Sequence, residues 1–106
     1  MQGRHLLLAT VMAASGFAVQ AAGGSAEAAK GKISACIGCH GIPGYRTSFP
    51  DVYAVPKLGG QHPEYIVRAL QAYKAGERAH PSMQGIAASL SDEDMADLAA
   101  YYGGAR

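Results

Sequence analysis

Charge is scarce in this chain: Asp, Glu, Lys and Arg make up 16 % of its 106 residues, against about 25 % in an ordinary domain. Nine basic residues face eight acidic ones, the formal net charge is +1, and no Lys/Arg cluster occurs anywhere. A nucleic-acid binder concentrates Lys and Arg and lifts its pI above about 9, so DNA and RNA are excluded as partners. Strand-like alternation, internal repeats and low-complexity tracts are also missing, which leaves an all-α chain. Cysteine is the rarest resource, with two copies, Cys36 and Cys39. What is present is apolar and loose. Hydrophobic residues reach 49 %, which excludes intrinsic disorder. Glycine stands at 14 of 106, roughly twice the average of about 7 %. So much glycine implies irregular backbone that needs a staple beyond ordinary secondary structure.

The first residues read as an address label. Arg4 and His5 precede an apolar run from Leu6 to Val19, and small residues follow, the shape of a secretory signal. Val19-Gln20-Ala21 places small residues at the cleavage-determining positions, so cleavage is expected after Ala21. An uncleaved anchor is the competing reading. The run is shorter than the about 20 apolar residues that span a bilayer, and Ser15 and Gly16 weaken it, so no permanent membrane anchor is expected. The expectation is a signal over residues 1–21 and a single domain over 22–106, exported to the periplasm of a bacterium. A domain of that size buries a modest core and often depends on a disulfide, a metal or another staple.

Residues 25–39 carry one apolar stripe at helical spacing, Ala29, Ile33, Cys36 and Ile37 with His40, which Gly41-Ile42-Pro43-Gly44 terminates. Residues 41–61 hold three prolines, Pro43, Pro50 and Pro56, and no periodicity; a loop that long needs a functional object to wrap. His62-Pro63-Glu64 opens a second helix that Gly76 closes. A second loop over 77–82 carries Arg78, His80 and Pro81, and residues 84–90 suit a short helix. Ser91, followed by Asp92, Glu93 and Asp94, caps a last helix ending near Gly103. The expected fold is all-α, three main helices and two long loops. The acidic residues of the last helix, Asp97 included, read chiefly as compensation of the helix dipole.

Cys36-Ile37-Gly38-Cys39-His40 is C-x-x-C-H, the attachment signature of c-type haem. Two thiols three positions apart on one helical turn reach the two vinyl groups of one porphyrin, and the next histidine is carried to the iron. A thioredoxin-like dithiol belongs beside a βαβ pattern, which is missing. A zinc site wants four ligands, and His62 and His80 stand apart beside prolines. A disulfide across two intervening residues closes almost no loop. The sixth iron position has Met83, Met95, His62 and His80 as candidates. Met95 lies on an apolar stripe and reads as packing, and both histidines read as helix-start or surface residues. Met83 follows Pro81 in a loop, where a thioether can be aimed inward; its competing reading is a gap-filling core residue. A His/Met pair raises haem potential. Tyr45, Tyr53, Tyr65 and Tyr73 are candidates for the haem surroundings or for simple core.

Over residues 29 to 102 the chain resembles class I c-type cytochromes, nearest the small bacterial units related to cytochrome c4. The resemblance rests on Gly31, Cys36-Ile37-Gly38-Cys39-His40-Gly41, Pro56-Lys57-Leu58-Gly59-Gly60-Gln61, Tyr65 with Leu70 and Tyr73, Gly76-Glu77-Arg78, Met83, and Leu90 through Tyr102. It implies the cytochrome c fold around one covalently attached haem c. It implies thioethers at Cys36 and Cys39, His40 as proximal and Met83 as distal iron ligand, and the Pro56 carbonyl holding the His40 ring. Gln61 and Arg78 are weaker candidates for the haem propionates, and Gly31 would let the first helix cross closely over the last, against Tyr101 or Tyr102. Cytochrome c4 joins two such units, whereas this chain has one attachment motif. The expected function is one-electron transfer, without enzymatic activity, between redox proteins: a quinol–cytochrome reductase or dehydrogenase as donor and a terminal oxidase or reductase as acceptor. Two rivals remain: a haem enzyme or gas sensor with an open sixth position, and a fixed cytochrome subunit of a periplasmic dehydrogenase.

Overall fold

In the computed structural model, residues 23–48 and 51–104 are described; the signal expected over residues 1–21 lies outside them. Five helices follow in order: α1 (Ala26–Ala29), α2 (Ser34–His40), α3 (Pro63–Ala75), α4 (Pro81–Ala88) and α5 (Asp92–Gly104). Two short strands, β1 (Arg46–Thr47) and β2 (Tyr53–Ala54), pair antiparallel inside the first long loop, with Arg46 opposite Ala54 and Thr47 opposite Tyr53. Two-residue strands are too short to show alternation, so the sequence carries no sign of this ladder.

The stretch expected as one helix over 25–39 is broken in the middle. Ser25 caps α1, its hydroxyl accepting from Ala28 N at 3.2 Å. Around Gly31 the backbone tightens: Lys32 N donates to Ala29 O three residues back at 2.7 Å, and Cys36 N to Ile33 O at 2.8 Å. These are 3₁₀-type bonds, and the tightened turn re-aims α2. α3 starts on Pro63, whose missing N–H costs nothing at a first turn. It stops at Gly76, which takes φ +76°, a left-handed conformation glycine adopts without penalty.

α4 begins at Pro81, three residues earlier than the expected short helix over 84–90. His80 caps it, Nδ1 accepting from Met83 N at 3.4 Å, and Pro81 fills the first helical position. Met83 therefore sits in the first turn of a helix and not in a loop. α5 opens with a reciprocal cap in which Ser91 Oγ accepts from Asp94 N at 3.1 Å and Asp94 Oδ2 accepts from Ser91 N at 2.9 Å.

α1 and α3 pack against α5, and α4 packs against α3. The central cluster is Ala29, Ile66, Leu98, Ala99 and Tyr102, with Ile33, Cys36, Leu58 and Leu70 packed on it. The close approach to α5 is made at Gly24, not at Gly31. A Cβ on Gly24 would stand 2.0 Å from Ala96 O and 2.6 Å from Asp97 N, whereas at Gly31 the nearest heavy atom is Ala28 O at 3.9 Å. Gly31 is exposed and serves the break instead.

A charge cluster locks the same seam. Asp97 is 3 % exposed, which dipole compensation does not require. Its carboxylate accepts from Ser25 N at 2.8 Å and from Lys32 Nζ at 2.6 Å, and Lys32 also meets Asp94 at 2.8 Å. Bonding to Lys32, then to Ser91, holds Asp94 at about 2 against an ordinary 3.8. Asp97 is lowered by Lys32 and then by Ser25 N, and Lys32 is raised by bonding to Asp94 and then Asp97.

Candidate functional site

An apolar cleft of about 1300 Å³, measured out to its open mouth, lies between α2, α3, α4 and the segment after β2, with Leu98 and Tyr102 of α5 at its base. Cys36, Cys39, His40, Pro56, Gln61, Arg78 and Met83 all line it. Of the other iron-ligand candidates, Met95 is fully buried and outside the cleft lining, and His62 is an exposed residue at the start of α3. His80 reaches the cleft wall as the cap of α4 and packs edge-on against Tyr53 at 5.1 Å. Tyr53, Tyr65 and Tyr73 line the cleft, whereas Tyr45 does not.

α2 is short, and its last turn delivers the motif: Cys36 and Cys39 one turn apart, His40 as the final helical residue. His40 Nδ1 lies 2.7 Å from Pro56 O. A carbonyl only accepts, so Nδ1 carries a proton and donates, which leaves Nε2 as the ring nitrogen not committed to that bond. That bond also ties the motif to the segment after β2. Both cysteines are free thiols, not joined to each other. Burial pushes the Cys36 thiol up, with the Tyr102 hydroxyl beside it pulling the other way. Tyr102 is itself pushed up to about 12, first by burial and then by the neighbouring Cys36.

The polar groups of the cleft sit with Gln61 and Arg78. Gln61 Oε1 accepts from His62 N at 2.9 Å, so its amide nitrogen keeps its donors free of that bond. Arg78 donates to Tyr65 Oη at 3.3 Å and lies 4.9 Å from the centre of the Tyr73 ring. Two residues matter here beyond what the sequence reading gave them. Tyr102 was named only as a place where the first helix crosses the last, and nothing local revealed that it lines the cleft with its hydroxyl buried. Lys32 stands on a surface-like segment, and only the fold brings it to Asp94 and Asp97.

A haem c fits this donor set. Two free thiols one turn apart, an imidazole with Nδ1 already committed, and a thioether on another helix share one apolar enclosure with an amide and a guanidinium. Among the described residues, no three His, Cys, Asp or Glu side chains converge as a metal-ion site of the zinc type, and no helix is long and apolar enough to cross a membrane.

Residues 25–102 match the family described as Cytochrome c. Cytochrome c4 of Thiocapsa roseopersicina is 42 % identical over 80 residues, covering 74 % of this chain and 39 % of that protein. Cytochrome c-554(548) of Halomonas halodenitrificans is 40 % identical over 82 residues, covering 74 % of this chain and 94 % of that protein. A thiosulfate dehydrogenase electron acceptor of Stutzerimonas stutzeri is 36 % identical over 95 residues, covering 90 % of this chain and 41 % of that protein. The chain thus spans about two fifths of the length of the cytochromes c4 it matches. The relatives named cytochrome c4 are electron-transfer proteins, not enzymes. The chain belongs to the cytochrome c family, in its cytochrome c4-like group, with the helical cytochrome c fold and covalently bound haem c as its cofactor.

Proposed function

We propose that this chain is an exported, periplasmic monohaem carrier that passes single electrons between protein partners. In this reading residues 1–21 are the cleaved export signal and 22–106 the working domain. The observation that carries it is the 2.7 Å bond from His40 Nδ1 to Pro56 O. A ring oriented through Nδ1 has Nε2 left to ligate iron, and the bond fixes which way the ring faces. Met83, on the first turn of α4, lines the same cleft and would supply a thioether sulfur to the iron as its second protein ligand. Cys36 and Cys39 form the thioethers, and Gln61 and Arg78 address the propionates.

The bound haem supplies an iron that cycles between ferrous and ferric states. The protein's part would be to hold the iron through both His40 and Met83, so that substrate finds no site on it, and to keep the cleft apolar. Ile37 and Ile42, which flank the second cysteine and the histidine, are 48 % and 49 % exposed. Exposed apolar side chains beside the motif, with little net charge on the chain, suit brief docking through a small interface. The donor is a quinol–cytochrome reductase or a dehydrogenase, and the acceptor a terminal oxidase or reductase. The Stutzerimonas stutzeri relative, an electron acceptor for thiosulfate dehydrogenase by its description, favours a dehydrogenase on the donor side.

The test is the optical spectrum and intact mass of the exported protein. The carrier reading expects one haem mass, a methionine–ferric charge-transfer band and no reaction of the reduced protein with carbon monoxide at neutral pH. Ready carbon monoxide binding would instead establish an open sixth position and a sensor or enzyme. Co-elution with a flavin, molybdenum or quinone enzyme would make the chain a fixed subunit.

A further inference from the structure

Residues 53–56, which are β2 and the two residues after it, reach both sides of the cleft. At one end Pro56 O accepts from the His40 ring at 2.7 Å. At the other the Tyr53 ring meets the His80 ring edge-on, with 5.1 Å between centres and 62° between planes. His80 in turn caps α4, its Nδ1 accepting from Met83 N at 3.4 Å. Four consecutive residues therefore bear on both side chains assigned above to the iron. We infer that Tyr53 is a positioning residue for Met83: its ring backs the His80 cap, so that the segment which orients His40 also holds the turn carrying Met83.

The cap needs this backing. At 3.4 Å its bond is long, and an unsupported histidine side chain turns among staggered wells. His80 lines the cleft on one side and, on the other, a shallow hollow shared with Asp51, Tyr53, Ala79 and Pro81. Removing the Tyr53 ring widens that hollow and gives His80 somewhere to turn, which releases Met83 N. Tyr53 is itself pinned. It pairs with Thr47, whose hydroxyl donates to Asp51 O at 3.2 Å and to Tyr53 O at 3.4 Å. The inference rests on Met83 as the distal ligand and adds the residue that keeps it there. An edge-on aromatic pair is worth a factor of about 2–10 in an equilibrium beyond the area it buries. Added imidazole competes with Met83 for ferric iron, so its apparent dissociation constant falls in proportion as the state with Met83 released grows.

Wild type, Tyr53→Ala, Tyr53→Phe and Tyr45→Ala are to be exported with haem attached, and the ferric proteins titrated with imidazole while the methionine–ferric band is followed. Tyr53→Ala is expected to bind imidazole about 2- to 10-fold more tightly than wild type. Tyr53→Phe keeps the ring and should match wild type. So should Tyr45→Ala, which lies in the same loop but outside the cleft lining. In a His80→Ala background Tyr53→Ala should add nothing, because the ring then backs no cap. Should Tyr53→Ala fail to load haem, Tyr53→Leu takes its place with the same expectation. A lowered Tm with imidazole affinity unchanged overturns the inference, since Tyr53 then serves packing alone. An equal gain in Tyr45→Ala, or a full effect of Tyr53→Ala without His80, overturns it as well. A wild type without the methionine band refutes the axial assignment of Met83 itself, and the inference with it.

Discussion

Gly24→Ala should be among the most damaging single-methyl additions this chain can suffer. The new Cβ would lie 2.0 Å from Ala96 O, 2.2 Å from Ala96 C and 2.6 Å from Asp97 N, all backbone atoms of α5. No side chain can swing away, so the segment before α1 must retreat from α5 by more than an ångström to reach ordinary contact. The retreat pulls on Ser25 N, which donates to the buried Asp97 carboxylate at 2.8 Å, and on Lys32, which bridges Asp94 and Asp97. Overpacking of this kind costs about 1–3 kcal/mol, and the strained bond to Asp97 places the loss at the upper end. For a domain of this size each kcal/mol moves Tm by about 4–8 °C, so a fall of roughly 10–20 °C is expected. Thermal unfolding of the haem-loaded protein, followed by far-UV circular dichroism, measures it. Gly31→Ala is the internal comparison: its Cβ meets one atom at 3.9 Å, and Tm should change little. Equal effects from the two substitutions, or a Gly24→Ala protein melting with wild type, would refute the seam described here.

Three further outcomes are expected. Met83→Ala should lose the methionine–ferric band, lower the potential and open the reduced iron to carbon monoxide, all read by spectroelectrochemistry. His80→Ala removes the cap of α4, at a cost of about 1 kcal/mol; the methionine band should then vanish at lower urea than in wild type. Acid stability should track Lys32. Asp94 and Asp97 have lowered folded values, Asp94 about 2 against an ordinary 3.8, so their contribution is complete above the ordinary value and fades as pH falls toward 2. Lys32→Gln lets both carboxyls rise and should move the acid-unfolding midpoint to higher pH, with little change in its sensitivity between pH 5 and 8. Lys32 itself is raised, so its share persists below its ordinary 10.5 and is lost in stronger alkali.

Local chemistry was the legible part of this sequence. The C-x-x-C-H spacing is self-contained, and Gly76, Pro63 and Ser91 mark helix ends through rules that need no tertiary contact. Pro81 misled because proline terminates helices as readily as it begins them. His80 in the cap role decided for a start, and carried Met83 from a loop onto α4. The break near Gly31 was hidden by an apolar stripe that continues in phase across it. Gly24 and Asp97 were illegible for another reason: each matters through a residue about 72 positions away in sequence, Ser25 N on Asp97 being the recorded bond. The cleft residues came together in one place, yet the hydroxyl of Tyr102 at its base gave no sign in a pattern that counts tyrosine as apolar.

The buried apolar residues of the described chain are few, and three of the seven, Ala29, Ala87 and Ala99, are alanines. Ile66, Ala69, Leu70, Ile86, Leu90 and Leu98 turn toward the cleft that the prosthetic group fills. Pigment and tertiary order therefore rise and fall together in the cell. A strain's redness per milligram of exported polypeptide becomes a gauge of conformational health, and pale mutants should be sorted for proteolysis before they are blamed on chemistry.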